Sequence, residues 1–320
     1  MTAATAMSTA STRRPRPLTT ESLGLLAEGR TAGRGSSLAE HIRATVDTQL
    51  RVLLTEQATA GRADSPESVH QMRVASRRAR VALGMDPGVI GAEAQRLRAE
   101  LAWLGGLAGG VRDLDVLCEH LTADSADLPE TDLPAFGEVL AALLESRAKA
   151  ASVLERALPR QRYRSLLQAM AAVALAGPDL GAPADPAALM AKPVRALHKQ
   201  LAASGRSPSD EGWHALRIKV KRVRYAAELA GRVAGPKKRA DITALTGTAK
   251  ALQELLGEFQ DTVVTEEHLR DLVATHPDLS PAAVLVAGRL VERQVAKRNA
   301  LRERLPAASG DLYSATTHAE

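Results

Sequence analysis

Apolar residues recur along most of the chain at the three- and four-residue spacing of amphipathic helices. In the first clear example, Leu38, Ile42, Val46, Leu50 and Leu53 follow this spacing and predict a helix over residues 38–58. The same spacing predicts further helices over 91–107, 111–122, 134–158, 186–203 and 240–259, followed by closing helices to about residue 305. The pattern therefore predicts an all-α fold.

Proline and glycine residues divide this helical pattern. Ser65-Pro66 supplies an N-cap and a first-turn proline for one helix, and Asp86-Pro87-Gly88 ends it. Glycine pairs at 105–106 and 109–110 are expected to interrupt the next helical stretch. Residues 177–185 predict a linker between two halves. We expect residues 1–36 to be a mostly disordered basic extension and residues 306–320 to be a flexible tail.

A short basic helix occurs twice in the sequence, 144 positions apart. The first copy spans residues 70–81 (His-Gln-Met-Arg-Val-Ala-Ser-Arg-Arg-Ala-Arg-Val), and the second spans 214–225 (His-Ala-Leu-Arg-Ile-Lys-Val-Lys-Arg-Val-Arg-Tyr). At about 100° per residue, the histidine and most cations of each copy fall opposite the apolar residues, with Lys219 as the exception. Like charges at this spacing repel, so each face needs an anionic partner or nearby carboxylates. Because the pattern is duplicated, we favour one shared polyanion over two solvated faces.

The repeat extends beyond the basic helix. Gly109, Arg112-Asp113 and His120 recur as Gly257, Gln260-Asp261 and His268 at an offset of 148. The two offsets differ by only four residues, so the halves align over most of their length. We predict two repeats, about 37–160 and about 186–305, each forming a four-helix bundle.

Composition narrows the possible classes of function. Aromatic residues make up 2% of the chain, which argues against a β-sandwich and against the stacking platforms of single-stranded nucleic-acid binders. A single cysteine, Cys118, excludes an intramolecular disulfide and is compatible with a reducing cytoplasm. No apolar run approaches the roughly 20 residues that span a bilayer. The net charge is only +5, yet residues 68–85 and 212–227 contain no acid, so positive charge is concentrated on the basic helices.

The basic helices, together with Leu-Ala-Gly-Gly-Val-Arg-Asp-Leu-Asp-Val at residues 107–116, resemble the CHAD family (conserved histidine α-helical domain) over about residues 37–305. Ala108 departs from the family pattern, which usually has leucine before the glycine. The resemblance implies two pseudo-symmetric four-helix bundles whose basic helices line a central pore or groove that binds inorganic polyphosphate. The binding residues it implies here are His70, Arg73, Arg77, Arg78, Arg80, His214, Arg217, Lys221, Arg222 and Arg224, with Arg98, Arg112, Lys199 and Lys250 as secondary candidates.

Other activities receive less support from the sequence. A triphosphate-hydrolysing β-barrel domain often accompanies this family, and residues 1–36 are too short for it, so we expect no catalysis, no metal and no cofactor. Asp113, Asp115 and His120 could suggest a metal site, but Val263 replaces Asp115 in the second copy, which favours caps or inter-helix hydrogen bonds. Two alternatives stay open, nucleic-acid binding and the coating of polyphosphate granules through amphipathic helices. We expect a cytoplasmic protein, either free or on such granules, without membrane attachment.

Overall fold

The computed structural model describes residues 16–60, 65–85, 91–177, 179, 181–205 and 208–318. Within these ranges the protein is all-helical, as the sequence pattern predicts. Its helices are α1 (Leu38–Glu56), α2 (Pro66–Ala82), α3 (Ala92–Asp124), α4 (Leu133–Ala157), α5 (Gln161–Leu175), α6 (Pro186–Ser204), α7 (Asp210–Val233), α8 (Pro236–Thr275) and α9 (Pro281–His318). The basic repeats lie on α2 and α7.

Three hydrophobic cores hold these helices together. The first core joins α1, α2, α5 and the N-terminal part of α3, and residues such as Leu50, Met72 and Leu104 are fully buried in it. The second core joins α6, α7, the first half of α8 and the end of α9. A third core joins the C-terminal parts of α3 and α8 to the N-terminal parts of α4 and α9. Both halves of the chain therefore contribute to one shared core.

The helices of the second half are longer than their apolar pattern predicted. Helix α8 extends from Pro236 to Thr275, beyond the predicted end at residue 259, and α9 continues to His318. The first half instead has a break at residues 158–160, between α4 and α5. Helix α5, which the sequence pattern left unassigned, packs on α1 through the first core.

The interruption predicted at the paired glycines is wrong, because α3 runs unbroken from Ala92 to Asp124. Two of its glycines face α2. A Cβ atom at Gly105 would lie 3.6 Å from Cβ of Ser76, and one at Gly109 would lie 3.2 Å from Nη1 of Arg73. The missing side chain at Gly109 leaves room for Arg73, whereas a Cβ at Gly105 would make an ordinary van der Waals contact. The packing of α2 on α3 outweighs the roughly 1 kcal/mol that each glycine costs a helix.

The described part of the N-terminal segment does not match the disordered extension that we expected. In residues 16–36, Leu18 and Leu25 are buried in the first core. The Arg30 guanidinium donates hydrogen bonds to the carbonyl oxygens of Ala174 and Ala176, at 2.6 and 2.7 Å, and forms an ion pair with Glu40. These contacts fix the segment to α1 and to the end of α5. Residues 1–15 lie outside the described part of the chain.

The expected flexible tail is also wrong for residues 306–318, which belong to α9. Leu312 is fully buried in the second core, and the hydroxyl of Thr316 lies 2.8 Å from Nε2 of His198 on α6. The expected linker at 177–185 does connect α5 to α6. The amide of Ala184 within it donates to the carbonyl of Ser36 at 3.0 Å, so the linker contacts the N-terminal segment.

Candidate functional site

Helices α2 and α7 each bury one side and present cations on the other. The buried side consists of residues such as Met72 and Ala79 on α2 and Leu216 and Val220 on α7, all fully buried. On the opposite side Arg73, Arg77, Arg217 and Lys221 are half-buried. The projection made from the sequence therefore separated anchoring residues from cations correctly in both repeats.

The cations from the two repeats lie near one another. Arg73 and Arg77 of α2 act electrostatically on Arg217 and Lys221 of α7, although the two pairs are 144 residues apart in sequence. Two carboxylates, Asp113 on α3 and Asp261 on α8, act on the same groups. We call these six residues the central charge cluster: Arg73, Arg77, Arg217, Lys221, Asp113 and Asp261. His120 on α3 also acts on Asp261 from the margin of the cluster.

One ion pair occurs inside the central charge cluster. Nη1 of Arg73 lies 2.6 Å from Oδ1 of Asp113 and donates a second bond, at 3.2 Å, to the carbonyl oxygen of Gly109. The absence of a side chain at Gly109 leaves room for this guanidinium. Arg73 is therefore held in place by α3 and has part of its charge neutralised before any ligand binds.

The other three cations of the cluster lack such partners. Within the described residues, Arg77, Arg217 and Lys221 form no ion pair within 4 Å and no side-chain hydrogen bond. The Nε atoms of Arg77 and Arg217 are buried without an acceptor. A buried donor left unsatisfied costs about 1–3 kcal/mol. The cluster thus holds more positive charge and more hydrogen-bond donors than its two carboxylates satisfy.

The pKa values of the cluster reflect this crowding. Burial, followed by the positive charges of Arg217, Arg77 and Arg73, lowers the pKa of Lys221 to about 7. Burial also lowers the pKa of Arg217, an effect that Asp261 opposes. Burial raises the pKa of Asp261, which Arg217 opposes. Each charged form is therefore disfavoured in a site that water solvates poorly, and an added anion would favour the protonated form of Lys221.

The remaining predicted binding residues lie outside the central charge cluster. His214 is exposed, and its Nδ1 atom lies 2.7 Å from Oε1 of Gln260; Arg224 contacts Gln253 at 2.8 Å and Glu228 at 2.5 Å. These bonds occupy Nδ1 of His214 and the Nε and Nη1 atoms of Arg224. The others lie along α2 and α7 without ion pairs among the described residues. His70 is half-buried, while Arg78, Arg80 and Arg222 are exposed.

The four secondary candidates lie in different parts of the structure. Arg112 pairs with Glu119 at 3.1 Å, and Lys250 pairs with Glu254 at 3.6 Å, both on their own helix. Lys199 is exposed on α6. The guanidinium of Arg98 lies 3.1 Å from the Cβ position of Gly84, and its Nε is buried without an acceptor. Nothing in these contacts brings the four residues into the central charge cluster.

The carboxylates that could have suggested a metal site form inter-helix bonds. Asp113 binds Arg73 of α2, and Asp115 binds Nε of Arg147 on α4 at 2.8 Å. The preference for inter-helix hydrogen bonds at these two residues is confirmed. The sequence had not assigned Asp113 and Asp261 to the binding site, although their recurrence at an offset of 148 was a signal for it.

Comparison with known proteins identifies the family. The sequence model of the CHAD domain matches residues 44–270. The chain belongs to the CHAD family. Two uncharacterized proteins from two strains of Mycobacterium tuberculosis are each 30% identical to this chain over 312 residues, which cover 93% of it. The chain spans 58% of the length of those relatives.

Solved structures agree with the assignment. The crystal structure of the CHAD domain from the plant Ricinus communis has a TM-score of 0.71 and 25% identity, covering 89% of this chain and 95% of its own. PptA from Streptomyces chartreusis shares the fold, with a TM-score of 0.66 and 20% identity over 85% of this chain and 97% of its own. CHAD domains are associated with polyphosphate-related proteins. None of the described helices is long and apolar enough to cross a membrane.

Proposed function

We propose that this CHAD protein binds inorganic polyphosphate through the central charge cluster. The observation that carries the proposal is the set of three crowded cations, Arg77, Arg217 and Lys221, which have no ion pair among the described residues and come from both repeats. A polyanion that contacts α2 and α7 together would supply the missing acceptors. The His and exposed Arg residues along the same helices would extend the contact.

The chemistry of polyphosphate suits such a cluster. Each internal phosphate carries about one negative charge and has no base that could stack, so recognition depends on charge and hydrogen bonding. Arginine can bind phosphate oxygens with two parallel N–H donors, whereas lysine supplies a point charge. Cations on successive helical turns are about 5.4 Å apart, which allows them to contact a linear polymer at intervals along its length. Binding should weaken steeply as salt increases.

A pair of equivalent substitutions tests the proposal. Arg77→Gln combined with Lys221→Gln removes one unpaired cation from each repeat and leaves the Arg73–Asp113 pair intact. We expect polyphosphate affinity to fall at least tenfold, and the slope of log affinity against log salt to decrease by about one to two, as for other polyanion contacts. Isothermal titration calorimetry over a salt series measures both. An unchanged affinity and slope would refute the assignment.

A matched control separates local from general charge effects. Lys149 is exposed on α4 and pairs with Glu145 at 2.7 Å, and it belongs to neither basic helix. Lys149→Gln changes the net charge by one and should leave the affinity within twofold. A charge-reversal pair, Arg73→Glu with Arg217→Glu, should abolish binding but retain helix content by circular dichroism. Unfolding of that variant would indicate that these arginines serve chiefly to stabilise the fold.

The alternative functions are distinguished by competition. Long-chain polyphosphate should displace any bound DNA at equal phosphate concentration, and DNA should displace polyphosphate poorly. The reverse order would favour nucleic-acid binding. We also propose that binding occurs without hydrolysis, so polyphosphate length on a gel should not change during incubation. Location on polyphosphate granules follows if a fluorescently tagged protein forms foci that colocalise with the polymer.

A further inference from the structure

A second polar site lies away from the central charge cluster. A cleft of about 440 Å³ opens between α1, the C-terminal part of α2 and the C-terminal part of α7, with residues 30–32 along one side. Its walls therefore come from both halves of the protein. The volume lies within the range of small-molecule sites, and the lining combines apolar residues with a few polar ones.

Four polar side chains that line this cleft leave at least part of their hydrogen-bonding capacity unused. His41 is only 4% exposed, and its Nε2 atom has no hydrogen-bond partner. Gln49 is 6% exposed and forms no side-chain hydrogen bond with the described residues. The exposed Arg78 and Arg232 also form no ion pair with any described residue. One imidazole nitrogen, one amide and two guanidinium groups that line this cleft thus lack partners among the described residues.

The acidic groups nearby are already engaged. Glu228, which lines the cleft, lies 2.5 Å from Nη1 of Arg224. Glu40 binds Arg30 and Arg43, and Asp47 binds Arg51. Burial lowers the pKa of His41, and the positive charge of Arg232 lowers it further, while Glu40 and a hydrogen bond to the backbone of Gly33 oppose this. The cleft therefore carries uncompensated positive charge.

We propose that this cleft is a binding site for a small organic phosphate, a phosphate monoester dianion. The two unpaired arginines match its two negative charges, the amide of Gln49 donates a further hydrogen bond, and Nε2 of His41 donates one when the bound anion draws a proton onto the imidazole. Ile42, Val81 and Leu229 line the remaining wall and fit the apolar part of an organic group. Arg78 belongs to the basic repeat of α2, whereas Arg232, Gln49 and His41 lie outside both copies of that repeat, so the cleft is distinct from the central charge cluster.

Titration of the 320-residue protein with phenyl phosphate tests this site. We expect saturable binding by isothermal titration calorimetry, at least tenfold tighter than binding of inorganic phosphate, which lacks the organic group. The single substitutions Arg232→Gln and Gln49→Leu should each lower the affinity for phenyl phosphate at least fivefold. Arg232 is exposed, so its variant should fold normally, and unchanged phenyl phosphate affinity in that variant overturns the proposal.

Two further arms identify the source of the phosphate. The Arg77→Gln, Lys221→Gln variant should retain phenyl phosphate binding, which separates this site from the central charge cluster. Because the polymer also contacts Arg78, saturating long-chain polyphosphate should weaken phenyl phosphate binding without abolishing it. Full displacement by polyphosphate would mean that the cleft takes the polymer and would overturn the assignment to a small ester. Equal affinity for inorganic and phenyl phosphate would overturn the assignment of an organic group.

Discussion

Polyphosphate binding should be accompanied by proton uptake at Lys221. With a pKa of about 7 in the free protein, the amine is about half protonated at pH 7 and about one-tenth protonated at pH 8. A bound polyanion offsets the charges of Arg217, Arg77 and Arg73, which moves the pKa back toward 10.5. Binding should then take up about 0.5 proton at pH 7 and about 0.9 at pH 8, and affinity should fall by up to about tenfold per pH unit above 7.

Calorimetry in buffers with different ionisation enthalpies measures this uptake directly. The slope of observed enthalpy against buffer ionisation enthalpy gives the number of protons at each pH. Lys221→Arg is the matched control, because arginine remains protonated throughout this range. That variant should bind with nearly constant affinity from pH 7 to pH 9 and should lose the uptake assigned to Lys221. Tight binding at pH 8 with equal proton uptake in both proteins would refute the reasoning.

Three other predictions concern stability, each measured by urea unfolding. Gly109→Ala should destabilise the protein by about 1 kcal/mol, because the new Cβ would lie 3.2 Å from Nη1 of Arg73. Gly110→Ala should stabilise it by about 0.5–1 kcal/mol, because the new Cβ meets no atom within 4 Å. The opposite order would contradict the packing argument. Truncation after residue 305 should cost at least about 2 kcal/mol, since it removes the buried Leu312, and a fully stable truncated protein would show that this end of α9 is dispensable. The unfolded state binds a proton at Lys221 more tightly than the folded state, so stability without ligand should rise between pH 7 and 10.5; Lys221→Met should remove this rise, and an unchanged pH profile would argue against the lowered pKa.

Helical periodicity predicted most of the fold because these helices are strongly amphipathic. The spacing of Leu38 to Leu53 gave the first helix to within two residues of its observed end at Glu56. Local signals failed where packing between distant segments decides the outcome. Gly105 and Gly109 read as helix breakers in isolation, but they are contact points for α2. The C-terminal residues 306–318 lacked a clear apolar run, yet Leu312 completes a core formed with other helices.

The cationic side of each basic helix was predictable, but its counter-charges were not. The projection uses only spacing within one helix. It therefore cannot show that Asp113, 40 positions away on another helix, pairs with Arg73. For Arg224 the sequence did carry the signal, because Glu228 lies four residues later on the same helix and pairs with it. The division between paired and unpaired cations depends on neighbouring helices, and this division singles out Arg77, Arg217 and Lys221.

The third hydrophobic core has a consequence for how the binding residues can differ. A homodimer made from one repeat would bring two identical basic helices together, and its assembly would depend on protein concentration. Here both copies are covalently linked through one chain and joined by the core that α3, α4, α8 and α9 share. The two basic helices therefore meet at any dilution, and their sequences are free to diverge. The counterpart of Arg77 on the second basic helix is Lys221, whose pKa burial and neighbouring cations lower to about 7.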